Sequence, residues 1–213
     1  AFKLKRLPDG TPLKFKARNC VRGDLQKEGI DYFDTYAPVV QWSTVRMVLS
    51  LILHNGWTNK QVDYTNAFAQ ADLEETVYIE QPRGFSGVKD KATKVLHLLK
   101  SLYGLKQAPR TFYQKLRTGL EERGFTCSQI DPCLFMKKDL ICICYVDDTI
   151  MCGPDPNAIE REIKSLGVRE SDHVHSFMLR DEGEVGDFLG IRIEKQGEGK
   201  FTLTQTGLIE KVM

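Results

Sequence analysis

Residues 140–152 read Leu-Ile-Cys-Ile-Cys-Tyr-Val-Asp-Asp-Thr-Ile-Met-Cys. The flanks are β-branched, aromatic or otherwise apolar and suit buried strands. Two adjacent carboxylates, Asp147 and Asp148, are costly inside a sheet without a cation or hydrogen-bond donors. The pair therefore marks the turn of a hairpin. Carboxylates at such a tip can hold a divalent metal. Mg²⁺ is usually held by one or two carboxylates together with substrate phosphates, so phosphate transfer is the first chemistry this stretch raises. An Asp-rich surface turn fits the same residues, and the stretch alone leaves both readings open.

Working outward, the hairpin extends back to Cys133 or Leu134, with a further turn at Lys137-Lys138-Asp139. Pro109 suits the first turn of a helix that presents Phe112, Leu116 and Leu120 on one side and stops at Gly124. Ser43 or Thr44 is expected to cap a helix with Val45, Val48, Leu49, Ile52 and Leu53 at helical spacing, ended by Asn55-Gly56. Trp57 to Tyr64 then reads as a strand carrying Asp63 near its end. Thr76 to Ile79 and Lys94 to Leu99 read as short strands, the first stopped by Pro82. Downstream, Asn157 to Leu166 is a charged helix ended by Gly167. Phe188 to Glu194 and Phe201 to Gln205 read as two strands joined by Gly197 to Gly199. At the start of the chain, Phe2 and Leu4, a Pro8-Asp9-Gly10 turn, and Leu13, Phe15 and Ala17 alternating with Lys14, Lys16 and Arg18 predict a hairpin with a basic face.

Hairpins and helices interleave without strict alternation, which argues for an α+β fold, an antiparallel sheet backed by helices, over a doubly wound parallel sheet. In that arrangement Asp63 is expected beside Asp147 and Asp148, so that three carboxylates converge on one sheet edge.

The 213 residues carry a net charge of only +1, yet the charges are segregated. Lys3, Lys5, Arg6, Lys14, Lys16, Arg18 and Arg22 face only Asp9 across the first 22 residues. Lys89, Lys91, Lys94, Lys100, Lys106, Arg110, Lys115 and Arg117 form a second basic stretch, and residues 155–187 are predominantly acidic. Such polarity can track a phosphate backbone, although surfaces also cluster charge by chance. The six cysteines form no CxxC pair and read as reduced, with Cys142 and Cys144 as small core residues on one strand face. His173 and His175 lack further ligands nearby and read as part of a solvated loop. The longest apolar stretch, around Val45 to Leu53, is far short of the roughly 20 residues that span a bilayer. No signal-peptide pattern opens the chain, so an intracellular, membrane-free protein is expected. Opening on Ala1 and closing at Met213 in what reads as a starting helix, the chain is expected to be a fragment.

Seven motifs occur in order: Gly29-Ile30-Asp31-Tyr32 with Tyr36-Ala37-Pro38-Val39-Val40; Gln61-Val62-Asp63; Asn66-Ala67-Phe68; Gln81-Pro82-Arg83-Gly84-Phe85; Ser101-Leu102-Tyr103-Gly104-Leu105-Lys106-Gln107-Ala108-Pro109-Arg110; Tyr145-Val146-Asp147-Asp148; and Phe188-Leu189-Gly190. Together they resemble the copia-type retrotransposon reverse transcriptase over nearly the whole chain. A lone YVDD is weak; the ordered set is specific.

The resemblance implies a right-hand polymerase fold. Residues 1–42 and 71–107 would form the fingers, and 43–70 and 108–195 the palm with a primer-grip hairpin. Residues 196–213 would begin a thumb that is largely missing. It assigns Asp63, Asp147 and Asp148 as the catalytic and metal-binding carboxylates for two Mg²⁺ ions, which Mn²⁺ can replace. Attack of a primer 3′-hydroxyl on a nucleotide develops charge on the attacking and leaving oxygens, and two cations roughly 4 Å apart stabilise both. Lys14, Lys16 and Arg18 resemble the basic fingers strand that contacts the triphosphate. Phe68 falls where the family carries an aromatic gate against a 2′-hydroxyl, with a core Phe as the alternative. Tyr103 and Gly104 resemble a nucleotide-side turn, the glycine allowing close approach of backbone to the base pair. Gln107 is expected to contact template or nucleotide, or to serve helix entry. Phe188, Leu189 and Gly190 resemble the primer grip, with plain β-core as the alternative.

One departure stands out. Arg180 lies near where related elements often carry a lysine that can protonate the leaving pyrophosphate, and a guanidinium is a much poorer proton donor than an ammonium. The implied function is RNA-directed DNA synthesis from deoxynucleotides on a primed RNA or DNA template. Integrase and RNase H regions are expected in the same polyprotein, and a cytoplasmic virus-like particle if the element is intact. The alternatives are an inactive or domesticated remnant that binds nucleic acid, and a two-metal nuclease; the latter gives no reason for Phe68 or the Tyr103-Gly104 turn.

Overall fold

A computed structural model describes residues 2–6, 11–82, 94–167, 175–197, 199–205 and 209. The Pro8-Asp9-Gly10 turn, Arg83-Gly84-Phe85, Lys89, Lys91, His173 and the expected helix start after Gln205 lie outside this set, apart from Ile209. Along the chain run β1 (Phe2–Arg6), β2 (Pro12–Ala17), α1 (Trp42–Asn55), β3 (Thr58–Tyr64), β4 (Asp72–Ile79), β5 (Leu96–Lys100), α2 (Ala108–Glu122), β6 (Thr126–Cys127), β7 (Leu134–Lys137), β8 (Leu140–Tyr145), β9 (Asp148–Gly153), α3 (Pro156–Gly167), β10 (Leu179–Gly183), β11 (Asp187–Phe188), β12 (Ile191–Lys195) and β13 (Phe201–Thr204). The mixed α/β content with antiparallel sheets agrees with the α+β expectation. Two compact units divide it: Ala1–Tyr36 with Phe68–Phe112, and Ala37–Ala67 with Tyr113–Met213.

The second unit is built on a six-stranded antiparallel sheet in the order β10-β3-β9-β8-β7-β6. Because paired residues share a face and successive residues alternate, Ile143, Ile150 and Cys152 line one side. There they pack with Val45, Val48, Leu49 and Ile52 of α1 and with Phe188 and Ile193. On the other side α3 lies against β3, β9 and β10, burying Ile159, Ile163 and Leu166. A short three-stranded sheet, β11-β12-β13, completes the unit. Each fully buried Ile or Leu here stabilises the fold by about 1.5–3 kcal/mol relative to an exposed one. Cys142 and Cys144 are buried with their sulfurs 3.9 Å apart, as small core residues should be.

Helix α1 starts differently from the expectation. Its N-cap is Gln41, whose side chain makes no capping bond. The cap comes from Asp131, far along the chain and buried. Asp131 Oδ2 accepts the Gln41 N–H at 3.0 Å and the Thr44 hydroxyl at 2.6 Å, and Oδ1 accepts the Cys133 N–H at 2.9 Å. A carboxylate at a helix N-terminus satisfies orphan donors and complements the macrodipole. At the other end Gly56, with φ +62°, closes the helix as read from Asn55-Gly56.

In the first unit, β1 and β2 pair with Lys3 opposite Lys16 and Lys5 opposite Lys14. β4 pairs with β5. Val77, Leu105 and Ala108 form the core there, with Val21, Phe68, Leu73, Ile79 and Leu98 packed against it.

Other expectations needed correction. Phe188 to Glu194 is not one strand: the chain folds back at Leu189 (φ +56°) and Gly190 (φ +73°), and β11 pairs with β12. Two successive left-handed residues make a tight hairpin turn, and Leu189 gave no sign of it. Strand β10 is charged (Leu-Arg-Asp-Glu-Gly) and was not expected as a strand; it forms because β3 offers a free ladder edge. His175 is half-buried rather than solvated: its backbone N–H and Nδ1 lie 3.1 and 2.7 Å from the Glu122 carboxylate. The second basic stretch is largely engaged within the protein: Arg110 pairs with Asp34, Lys100 with Asp72, Arg117 with Glu121, and Lys106 lies over the Tyr32 ring. Among the described residues, no helix is long and apolar enough to cross a membrane.

Candidate active site

Asp63 and Asp148 are direct partners across the β3–β9 pair. Asp63 is the penultimate residue of β3 and Asp148 the first of β9, so both carboxylates sit at strand ends. Since β3 and β9 are interior strands, the carboxylates gather at strand ends in the central part of the sheet. Tyr145 pairs with Asp148, so the connecting turn is Val146-Asp147. Val146 has φ +54° while Asp147 does not share the left-handed region. A β-branched residue in that region is strained, and such strain collects at functional sites. The Asp147 carbonyl accepts the Tyr64 N–H at 3.2 Å, tying the turn to the end of β3.

The electrostatics register the crowding. Burial first, and then the charges of Asp147, Asp63 and Glu182, push the Asp148 carboxyl up to about 6, against a lowering by the Gln61 hydrogen bond. Among the described residues no three His, Cys, Asp or Glu side chains are drawn together closely enough to form a metal cage. The donor set is nonetheless all carboxylate oxygen, which suits hard cations such as Mg²⁺ or Mn²⁺. A cation beside Asp148 would relieve the repulsion that raises its pKa.

Three residues neighbour this centre: Arg180 was expected near the leaving pyrophosphate, whereas Glu182 and Gln61 were not singled out from the sequence as parts of it. Arg180 is the β10 partner of Asp63, Glu182 bears on Asp148, and Gln61 is buried two residues before Asp63. The period-two spacing of Gln61 and Asp63 was a signal for the last of these.

In the first unit, Arg18, Tyr103 and Phe68 come together. The Arg18 guanidinium carbon lies 4.6 Å from the Tyr103 ring centre, and Tyr103 and Phe68 are 4.7 Å apart. Phe68 also meets Phe112 at 6.4 Å and rests on the local core, so part of its surface serves packing. Lys16 is half-buried and Lys14 exposed. Gly104, at φ +96°, is approached by the chain itself: a Cβ there would lie 2.1 Å from the Val21 carbonyl oxygen. That contact gives the glycine a structural reason distinct from the expected approach to a base pair. The Gln107 side chain is buried; its Nε2 donates to the Asp31 carbonyl at 2.9 Å, and its Oε1 accepts from Gln26 at 3.0 Å. These bonds tie the residue that precedes α2 to the 26–31 segment.

Of the expected primer grip, Phe188 is core, Leu189 is half-buried and Gly190 is exposed at the turn.

A family model described as reverse transcriptase (RNA-dependent DNA polymerase) matches residues 2–213. The chain is 36% identical over 218 residues to the Retrovirus-related Pol polyprotein from transposon TNT 1-94 of Nicotiana tabacum, covering 100% of the chain and 16% of that relative. It is 37% identical over 202 residues to the corresponding polyprotein from transposon RE1 of Arabidopsis thaliana, covering 93% of the chain and 13% of the relative. Identity to the Transposon Ty1-ER2 Gag-Pol polyprotein of Saccharomyces cerevisiae is 34% over 229 residues, or 99% of the chain and 12% of the relative. The chain thus spans a small part of the curated relatives it matches. Ordered motifs and a match from end to end agree: the chain belongs to the reverse transcriptase (RNA-dependent DNA polymerase) family, as represented in retrotransposon Pol polyproteins.

Proposed function

We propose that this chain is the polymerase part of a copia-type retrotransposon Pol polyprotein, extending a primer with deoxynucleotides on an RNA or DNA template. The observation that carries the reading is the pairing of Asp63 with Asp148, with Asp147 in the adjoining strained turn. In this reading the second unit supplies the palm, the first supplies fingers, and residues 196–213 lead toward a thumb.

Asp63, Asp147 and Asp148 would hold two Mg²⁺ or Mn²⁺ ions, whose chemistry when bound is to stabilise charge on the attacking and leaving oxygens. The remaining work falls to the chain's own groups. Lys14, Lys16 and Arg18 bind the triphosphate, the Arg18 fork being oriented by its stacking on Tyr103. Phe68 opposes a 2′-hydroxyl. Gly104 and Gln107 act indirectly, holding the loops that carry Tyr103 and Asp31. Phe188 anchors the hairpin whose Leu189-Gly190 tip meets the primer end. Arg180, opposite Asp63, would stabilise a leaving phosphate through its guanidinium fork. Integrase and RNase H regions in the same polyprotein, and a virus-like particle as the setting, follow from this reading.

Primer extension on an RNA template with Mg²⁺ or Mn²⁺ tests it. The expected result is product with the parent chain and a loss on the order of a thousandfold or more in Asp147→Asn. No extension by the parent, with primer-template still bound, would support the inactive nucleic-acid-binding remnant instead.

A further inference from the structure

Two buried side-chain amides on the strand that carries Asp63 reach across to the chain entering the Phe188-Leu189-Gly190 hairpin. Asn59 Oδ1 accepts the Val185 N–H at 2.8 Å, and Gln61 Nε2 donates to the Asp187 carbonyl at 2.9 Å. Both side chains belong to residues only 6% exposed. They stand at i and i+2 on β3, and their partners stand at j and j+2, so residues 185–187 run over the face of β3 in the same direction. Between the two contacts, the Gly186 carbonyl accepts the Ile193 N–H at 2.6 Å, which ties the same segment to β12. The hairpin is thus bolted to the catalytic strand through side chains, where no backbone ladder joins them.

The residue types make this more than packing. Ile150, the β9 partner of Gln61, and Cys152, the partner of Asn59, are apolar, and around them this face packs against α1, with the acids Asp63 and Asp148 at its end. Leu or Ile at positions 59 and 61 would fill such a face at lower desolvation cost, because a buried amide is tolerated only when its hydrogen bonds are made. What the amides add is direction: each bond fixes one backbone atom of the 185–187 segment in register with β3, which an aliphatic contact does not do. Gln61 shares its sheet face with Asp63 by the two-residue period and with Asp148 through the Asp63–Asp148 pairing. Its amide is therefore the residue on β3 that lies between the acidic centre and the hairpin.

We propose that Asn59 and Gln61 are positioning residues that set the height of the Phe188-Leu189-Gly190 hairpin relative to Asp63 and Asp148. This rests on the reading of those acids as the polymerase centre and of the hairpin as the primer-end support. Reacting atoms must be brought to about 3–3.5 Å, and a misplacement of about 1 Å costs on the order of a hundredfold in rate. A hairpin held only by apolar contact would leave that distance loosely set.

The test uses Gln61→Met, which keeps length and volume but cannot donate, and the pair Asn59→Asp and Asn59→Leu. Asn59→Asp keeps the acceptor for the Val185 N–H, and Asn59→Leu removes it. Amide hydrogen exchange on the 213-residue chain is read first. In Gln61→Met and Asn59→Leu the amides of residues 185–193 should exchange roughly tenfold faster, the loss of one net hydrogen bond, while those of α1 and β7–β9 are unchanged; Asn59→Asp should keep the parental protection. Primer extension is read second, with kcat lowered roughly tenfold to a hundredfold and KM for deoxynucleotide unchanged. Parental exchange in Gln61→Met and Asn59→Leu overturns the proposal, as does faster exchange with an unaltered kcat. If Gln61→Met does not fold, the contrast between Asn59→Asp and Asn59→Leu decides in the same way. A parent chain that makes no product defeats the polymerase reading, and the exchange data still show whether the two amides hold the hairpin.

Discussion

Asp63 and Asp148 face one another as direct partners across the interior antiparallel strands β3 and β9, with a third carboxylate, Asp147, in the turn that leads from β8 into β9. Like charges directly opposite in a sheet destabilise it, and the Asp148 carboxyl is raised to about 6, first by burial and then by Asp147, Asp63 and Glu182. From about pH 4 to pH 6 the folded state therefore holds a proton that the unfolded chain has lost, so stability falls as pH rises through this window and the penalty is complete above it. Asp148→Asn should remove that slope and raise stability at pH 8 by on the order of 1–2 kcal/mol, a discounted figure because the group is not fully buried. Thermal melts at pH 4.5 and 8 measure it; equal slopes in parent and variant would count against the carboxylate crowding.

Divalent cations should act on the same penalty. At pH 8, Mg²⁺ or Mn²⁺ should raise the melting temperature of the parent chain, because a ligand that binds only the folded state stabilises it by mass action. Asp148→Asn and Asp63→Asn should each blunt this response. An identical shift in all three proteins would mean that the cation binds elsewhere.

Asp131 should be the most sensitive polar residue of the second unit. Asp131→Ala leaves the Gln41 and Cys133 N–H groups and the Thr44 hydroxyl without their acceptor, with an expected loss of about 2–4 kcal/mol. Ser43→Ala, at an exposed position whose hydroxyl donates to Gln41 Oε1 at 3.4 Å, should change stability by less than about 0.5 kcal/mol. Denaturant unfolding of the two variants separates a tertiary cap from a local one.

Two glycines with positive φ should behave unlike each other. Gly104→Ala drives a Cβ to within 2.1 Å of the Val21 carbonyl oxygen as well as straining φ, and should cost about 3 kcal/mol or more. Gly190→Ala has nothing within 4 Å of the added carbon and carries the backbone strain alone, about 1–2 kcal/mol. Comparable losses in unfolding titrations would show that close approach is not what fixes Gly104.

Phe68→Ala should show two effects. Losing a ring that packs on Val77, Leu105 and Tyr103 should lower stability by about 2–3 kcal/mol, and incorporation of ribonucleotides relative to deoxynucleotides should rise. Unchanged sugar discrimination in single-nucleotide extension would leave Phe68 as a packing residue only.

The strongly patterned elements are legible in local sequence: α1 from the helical spacing of Val45 to Leu53, β8 and β9 from apolar runs broken by two acids, and the family from motifs in order. Local signals sufficed there, because periodicity and turn chemistry are written in neighbouring residues. Tertiary structure decided the rest. The cap of α1 comes from Asp131, dozens of residues away, and no local pattern at Ser43 or Thr44 could announce it. Strand β10 reads as a charged loop and becomes a strand because β3 supplies hydrogen-bond partners. The Val21 backbone lying on Gly104 and the two amides that join β3 to residues 185–187 are likewise facts of long-range contact. Asp147 and Asp148 could be identified from the sequence as a pair; that Asp63 meets Asp148 in the middle of a sheet was decided by strand register, which is set by which faces must be buried and which backbone groups must be bonded.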